Sequence, residues 1–365
     1  MSTETMTCGF ARRGCEQIRA AFEENLKSGA DLGAAFCLSE AGEITVDLWG
    51  GCADAKKSRP WVRNTLVNAY STTKTMAAMV PLWLADRGEL DFGAPVARYW
   101  PEFATNGKAA VTVGHLLSHA AGLPDFHVPI VKADLYDWEK MTALLAAQAP
   151  DWEPGTACGY HSITFGYLVG EVVRRITGRS IGTVFREVFA GPLEADFHIG
   201  LKASDDHRVA DLIPPEGEAL PIFVDVADAA TRAWRGAELP AIGGTGNARG
   251  LVEVLSILAN GGMAKGQLFL SEAGAHRALE VQVEGRDRVL DMHIRWGLGF
   301  AVSGGALFPN PRTLFWGGYG GSLAVVDCDA HTAMAYVMNK MSPGARGDTR
   351  GLDLAMAAWQ AQGLL

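Results

Sequence analysis

The sequence has little that would tie it to nucleic acid or to a membrane. Its 365 residues carry 32 Lys and Arg against 41 Asp and Glu, a formal net charge of −9, with the two signs interspersed. There is no basic stripe to neutralise a phosphate backbone, so nucleic acid is not an expected partner. The longest apolar stretch, residues 76–85, is far short of the roughly 20 residues that a membrane-spanning helix needs, and no membrane partner is expected either. The opening segment has charges early and no apolar run of signal-peptide length, so the expected location is cytoplasmic. Six cysteines (Cys8, Cys15, Cys37, Cys52, Cys158, Cys328) form no CxxC pair and no regular spacing. That excludes a disulfide framework and a thiolate zinc site, and leaves reduced, mostly buried thiols. Internal repeats and low-complexity tracts are missing as well.

What is present suits a well-cored globular protein. Apolar residues make up 48% of the chain and charged ones 20%, enough for one large unit or two intimately packed ones. Residues 11–28 place Ile18, Ala21, Phe22 and Leu26 at helical spacing, with Gly29 as a stop. Residues 34–38 and 44–49 flank the turn-like Glu40, Ala41 and Gly42, which predicts a hairpin. Near the other end, 298–303, 313–316, 323–328 and 333–338 read as short strands and 352–360 as a closing helix. Between them, 72–87, 113–118, 138–148, 163–176, 181–189 and 248–259 read as helices, several ended by Gly or Pro. The expected fold class is α+β: a mostly antiparallel sheet built from both chain ends, flanked by terminal helices, with a helical domain inserted. The division predicted is 1–70 plus 290–365 for the first domain and 71–289 for the second, with a ligand cleft along their boundary.

The chemistry is concentrated at Ala69-Tyr70-Ser71-Thr72-Thr73-Lys74, where a strand-like run gives way to a helix. Lys74 falls one turn beyond Ser71, on the same face, so its amine can reach the serine hydroxyl. Such an amine acts as a base only if its pKa falls from about 10.4 towards neutrality, which burial or nearby positive charge can bring about. Taken alone, Ser71 also reads as a plain helix cap. With 14 serines and 10 lysines, about 0.4 Ser-x-x-Lys matches arise by chance, so the motif needs company.

That company follows in order: Val111-Thr112-Val113-Gly114-His115-Leu116-Leu117-Ser118-His119-Ala120-Ala121-Gly122-Leu123-Pro124, then Trp152-Glu153-Pro154-Gly155 leading to Tyr160-His161-Ser162, then Phe315-Trp316-Gly317-Gly318. From about residue 46 to 341 the chain resembles the class C β-lactamase superfamily of penicillin-recognising serine enzymes, and within it the family VIII carboxylesterases. The resemblance implies a β-lactamase/transpeptidase-like fold and a serine hydrolase working through an acyl-enzyme. Ser71 would be the nucleophile, with Lys74 and Tyr160 as its proton-transfer partners, either of which could take the first proton. The backbone N–H groups of Ser71 and Tyr319 would form the oxyanion hole. His161, Ser162, Trp316, Gly317 and Gly318 would border the substrate. No metal and no organic cofactor is implied.

Two departures bear on substrate. β-Lactamases carry Tyr-x-Asn where this chain has Tyr160-His161-Ser162, and Lys-Thr-Gly where it has Trp316-Gly317-Gly318. The missing lysine would have held a carboxylate, whereas a tryptophan offers an apolar face and one N–H donor. A small-molecule carboxylic ester is therefore the expected substrate; β-lactam or amide hydrolysis and acyl transfer are alternatives on the same serine, and a non-catalytic binding role is the remaining one.

Other signals read as structural. Gly178-Arg179-Ser180-Ile181-Gly182 matches a nucleophile elbow, but a helix precedes it, so Ser180 is expected to cap the next helix. His115 and His119, four apart, lack the glutamate of a zinc helix and are expected to brace the cleft wall. Gly243-Gly244-Thr245-Gly246 has no P-loop lysine after it. Trp152, Phe126, His127 and Trp234 are candidate walls of the acyl pocket.

Overall fold

The computed structural model describes residues 6–215, 224–343 and 348–365. Nine antiparallel strands form one sheet, in spatial order Thr7–Ala11, Glu43–Gly51, Gly33–Glu40, Thr332–Met338, Leu323–Asp327, Thr313–Gly317, Ala301–Val302, His293–Trp296 and Val283–Arg286. The two chain ends meet at its centre, where Phe36 lies opposite Tyr336 and Cys37 opposite Ala335. This is the α+β architecture predicted from the sequence.

Successive side chains of a strand point to opposite faces, so the sheet is covered twice. On one face Ser39 meets Ser256 of the Ala248–Ala259 helix, Oγ to Oγ at 2.8 Å. On the other, the Arg350–Ala361 helix crosses Tyr336 at Gly351, where a Cβ would come within 2.9 Å of the ring. The Glu16–Lys27 helix packs beside it and buries Ile18, Phe22 and Leu26, each burial contributing about 1.5–3 kcal/mol. The Thr73–Asp86 helix runs through the interior with nearly every side chain buried, packed against the Thr164–Thr177 helix. Among the described residues no helix is long and apolar enough to cross a membrane.

Several boundaries differ from the sequence reading. The first helix begins at Glu16, because Thr7–Ala11 pairs as an edge strand and Gly14, at φ +95°, turns the chain between them. The 298–303 strand shortens to Ala301–Val302, since Gly299 (φ +86°) bends towards the interior helix, where a Cβ would lie 2.2 Å from the Ala78 methyl. Helix 181–189 is α-helical over Ile181–Phe185 and then widens to a π-turn over Arg186–Ala190. The hairpin of Val283–Arg286 and His293–Trp296 was not anticipated. It carries the sheet to residues ahead of 290, and the Ala248–Ala259 helix covers the sheet from within 71–289.

Candidate active site

The short strand Val67–Asn68, paired with Thr245–Gly246, leads through a 3-10 turn (Tyr70–Thr72) into the Thr73–Asp86 helix. Tyr70 holds φ +43°, a left-handed conformation that costs a non-glycine residue about 1–3 kcal/mol. Edge-to-face contacts with Trp234 and Tyr319 fix its ring. The kink swings Ser71 out of the strand and leaves it half-exposed. Its side chain is not spent as a cap: neither the turn nor the helix has a side-chain cap bond. Instead Ser71 Oγ lies 3.1 Å from Lys74 Nζ.

Lys74 is 1% exposed. Besides its contact with Ser71 Oγ, its Nζ donates to two backbone carbonyls, Ser162 O at 2.8 Å and Ala241 O at 3.0 Å. No carboxylate pairs with it among the described residues, and burial pushes its pKa well below the usual lysine value. Nζ thus has three oxygen neighbours, two carbonyls and the Ser71 hydroxyl, and desolvation favours its neutral form.

Tyr160 closes the other side. Its hydroxyl hydrogen-bonds Ser71 and accepts a 3.0 Å bond from Trp316 Nε1. Lys74 Nζ sits 4.7 Å from the ring centroid. Burial raises the phenol's pKa, so the hydroxyl keeps its proton and can donate it. The ring stacks on Trp296 at 5.9 Å and 7°. Asp287, which the sequence reading did not single out, accepts from the Tyr160 backbone N–H (3.0 Å) and from Trp296 Nε1 (3.1 Å). Nothing local in the sequence marks this aspartate apart from its turn-like setting at the tip of a charged hairpin.

Trp316-Gly317-Gly318 ends the Thr313–Gly317 strand, half-exposed along the cleft. Gly318 runs against the Ala69 carbonyl, where a Cβ would sit 2.2 Å from the oxygen. Ser322 Oγ donates to that carbonyl at 2.8 Å and lies 2.9 Å from Thr72 Oγ1. These contacts hold Tyr319 beside the Ser71 turn, its ring 5.5 Å from that of Tyr70. Ser162 contributes its carbonyl to Lys74.

His161 is not on the cleft surface, contrary to the sequence expectation. It is fully buried: Nδ1 donates to Gly159 O at 2.6 Å and Nε2 accepts from Leu123 N–H at 3.1 Å. Both ring nitrogens are committed to backbone, and burial lowers its pKa to about 4. His119 Nδ1 accepts from His161 N–H at 3.0 Å, and His115 Nδ1 from Thr112 N–H at 3.3 Å within a capping box. The two histidines thus brace backbone. Cys158 is buried, its thiol pushed up to about 11 by burial. Ser180 caps the Ile181–Phe185 helix, accepting from Thr183 N–H and donating to Glu238 at 2.6 Å. Gly244 accepts from Ala69 N–H at 2.8 Å, so the glycine-rich run supports the Ser71 turn. Trp234 is fully buried with its N–H on Asn68 Oδ1 at 2.9 Å, and Trp152 donates to Ala157 O at 3.0 Å.

The fold as a whole has counterparts among known proteins. A family VIII carboxylesterase crystal structure superposes with a TM-score of 0.93 at 44% identity, covering 98% of this chain and all of that one. A penicillin-binding protein homologue from Caulobacter crescentus gives 0.92 at 38%, with the same coverage. Esterase/beta-lactamase LipL of Mycobacterium tuberculosis is 33% identical over 349 residues, 87% of this chain and 80% of LipL. The Beta-lactamase family profile matches residues 18–357, and the chain belongs to that family.

Proposed function

We propose that this protein is a carboxylesterase that cleaves small-molecule esters through an acyl-enzyme on Ser71. The observation that carries the reading is the buried Lys74 amine, caged by two carbonyls with the Ser71 hydroxyl as its third neighbour. Ser71 Oγ attacks the ester carbonyl carbon as its proton passes to Lys74. The backbone N–H groups of Ser71 and Tyr319 receive the developing oxyanion. As the tetrahedral intermediate collapses, the C–O bond to the alcohol breaks, the alkoxide takes the Tyr160 hydroxyl proton, and Lys74 returns a proton to Tyr160. Water then attacks the acyl carbonyl by the reverse relay and restores Ser71.

The Trp316 indole N–H is already engaged by Tyr160, so this strand presents no cation for a substrate carboxylate. That favours uncharged esters over β-lactams, with Trp316, Gly317, Gly318 and Ser162 along the substrate. The same reading assigns the protein to the cytoplasm, without metal, cofactor, nucleic-acid or membrane partner, and with its cleft between a sheet domain and a helical one. β-Lactam hydrolysis on the same serine is the second reading, supported by LipL being named for both activities. The test is p-nitrophenyl butyrate hydrolysis by wild type and Ser71→Ala, with nitrocefin run alongside. A fall of at least about 1000-fold is expected for the variant. Equal rates would overturn the reading, and nitrocefin turnover exceeding ester turnover would favour the second.

A further inference from the structure

Asp287 is a fully buried carboxylate with no lysine or arginine paired to it among the described residues. Oδ1 accepts from the N–H groups of Tyr160 (3.0 Å), Val289 (3.0 Å) and Leu290 (2.9 Å), and Oδ2 accepts from Trp296 Nε1 at 3.1 Å. The Val289 and Leu290 bonds close the aspartate's own turn, as an Asx turn does unaided. The other two serve something else. Tyr160 lies 127 residues away in sequence, and the Trp296 indole is the plate on which the Tyr160 ring stacks. A buried charge is costly unless hydrogen bonds satisfy it, and an asparagine could close the turn without that cost.

We propose that Asp287 is a positioning residue for Tyr160: one oxygen fixes the tyrosine's backbone and the other fixes the indole beneath its ring, which sets the hydroxyl between Ser71 and Trp316. This rests on the catalytic reading of Tyr160 given above. Asp287→Asn keeps an oxygen for the turn and the Tyr160 N–H, but faces Trp296 Nε1 with a second donor.

The experiment is a double-mutant cycle of Asp287→Asn and Tyr160→Phe on p-nitrophenyl butyrate, with kcat and KM measured separately and folding checked by circular dichroism. Asp287→Asn is expected to lower kcat about 10-fold while KM stays within about 2-fold, and Tyr160→Phe to lower the rate at least about 100-fold. In the Tyr160→Phe background the aspartate change should cost nothing further, because the group it positions has gone. An equal loss in both backgrounds, or a wild-type kcat for Asp287→Asn, would overturn the positioning role and leave Tyr160 catalytic. Wild-type activity in Tyr160→Phe would sink the catalytic reading and the positioning role together. Should Asp287→Asn fail to fold, Trp296→Phe, which keeps a stacking ring and removes the N–H, takes its place in the cycle. A loss of about 3-fold in kcat is then expected in the wild-type background and none in Tyr160→Phe, and an equal loss in both would again overturn the positioning role.

Discussion

Ser71 and Lys74 are three residues apart on one turn, whereas Tyr160 takes its position from Asp287 and Trp316, 127 and 156 residues along the chain. The first pair inherits its spacing from helix geometry. The tyrosine side depends on the sheet having closed, since its supports come from the hairpin of Val283–Arg286 and His293–Trp296 and from the Thr313–Gly317 strand. The serine–lysine spacing is therefore local, whereas the lysine's buried cage and the tyrosine's placement are tertiary, the one through Ser162 and Ala241 and the other through Asp287 and Trp316. Damage to the first side should abolish chemistry, and damage to the supports of the second should weaken it by degrees.

The largest effect that tests this contrast is Lys74→Met. It removes the base at similar volume and should lower kcat/KM by at least about 1000-fold in the p-nitrophenyl butyrate assay. More than a tenth of the wild-type rate would mean that Tyr160 accepts the first proton after all. Trp316→Phe is expected to be milder: it keeps an aromatic wall and deletes the bond to the Tyr160 hydroxyl, for a loss of about 10-fold, mostly in kcat. A loss as large as that of Lys74→Met would erase the distinction between the two sides.

The smallest effect is on stability. His161 sits on the tyrosine side with its folded pKa near 4, below its ordinary value of 6.5. The unfolded chain therefore binds the proton more readily between those values. The histidine's contribution, about 3 kcal/mol, is complete above pH 6.5 and is lost as pH falls through 4. Urea unfolding at pH 7 and pH 4.5 should show this loss in the wild type and a shallower one in His161→Asn. Identical pH dependence in both proteins would remove His161 from the account.

The same contrast explains what was legible in the sequence. Helical spacing fixes which residues share a turn, so Ser71 and Lys74 could be paired from their numbers, and short, largely apolar runs beside turn residues located the central strands. Tyr160 was found through family resemblance, since nothing in its own surroundings marks it. Asp287 was missed because a single aspartate in a charged turn looks like solvated surface; only tertiary structure shows it buried. The outer hairpin was missed for a related reason: its strands carry alternating charges, Glu284 and Arg286 exposed on one face, and lack the apolar pattern of the central ones. His161 misled through proximity, because adjacency to Tyr160 in a bent loop says little about which way the next side chain points.

The contact between Ser322 and the Ala69 carbonyl spans 253 residues, and Gly318 presses on the same oxygen. On the ribosome, a growing chain displays its serine and lysine long before the segment that clamps their turn has been made. Ester turnover is thus a signal that the chain has been made at least as far as residue 322. Severing the chain between the helices and the Thr313–Met338 hairpins should give two inert fragments whose reassembly is reported by colour, a two-part sensor already latent in the topology. Turnover by either fragment alone would contradict it.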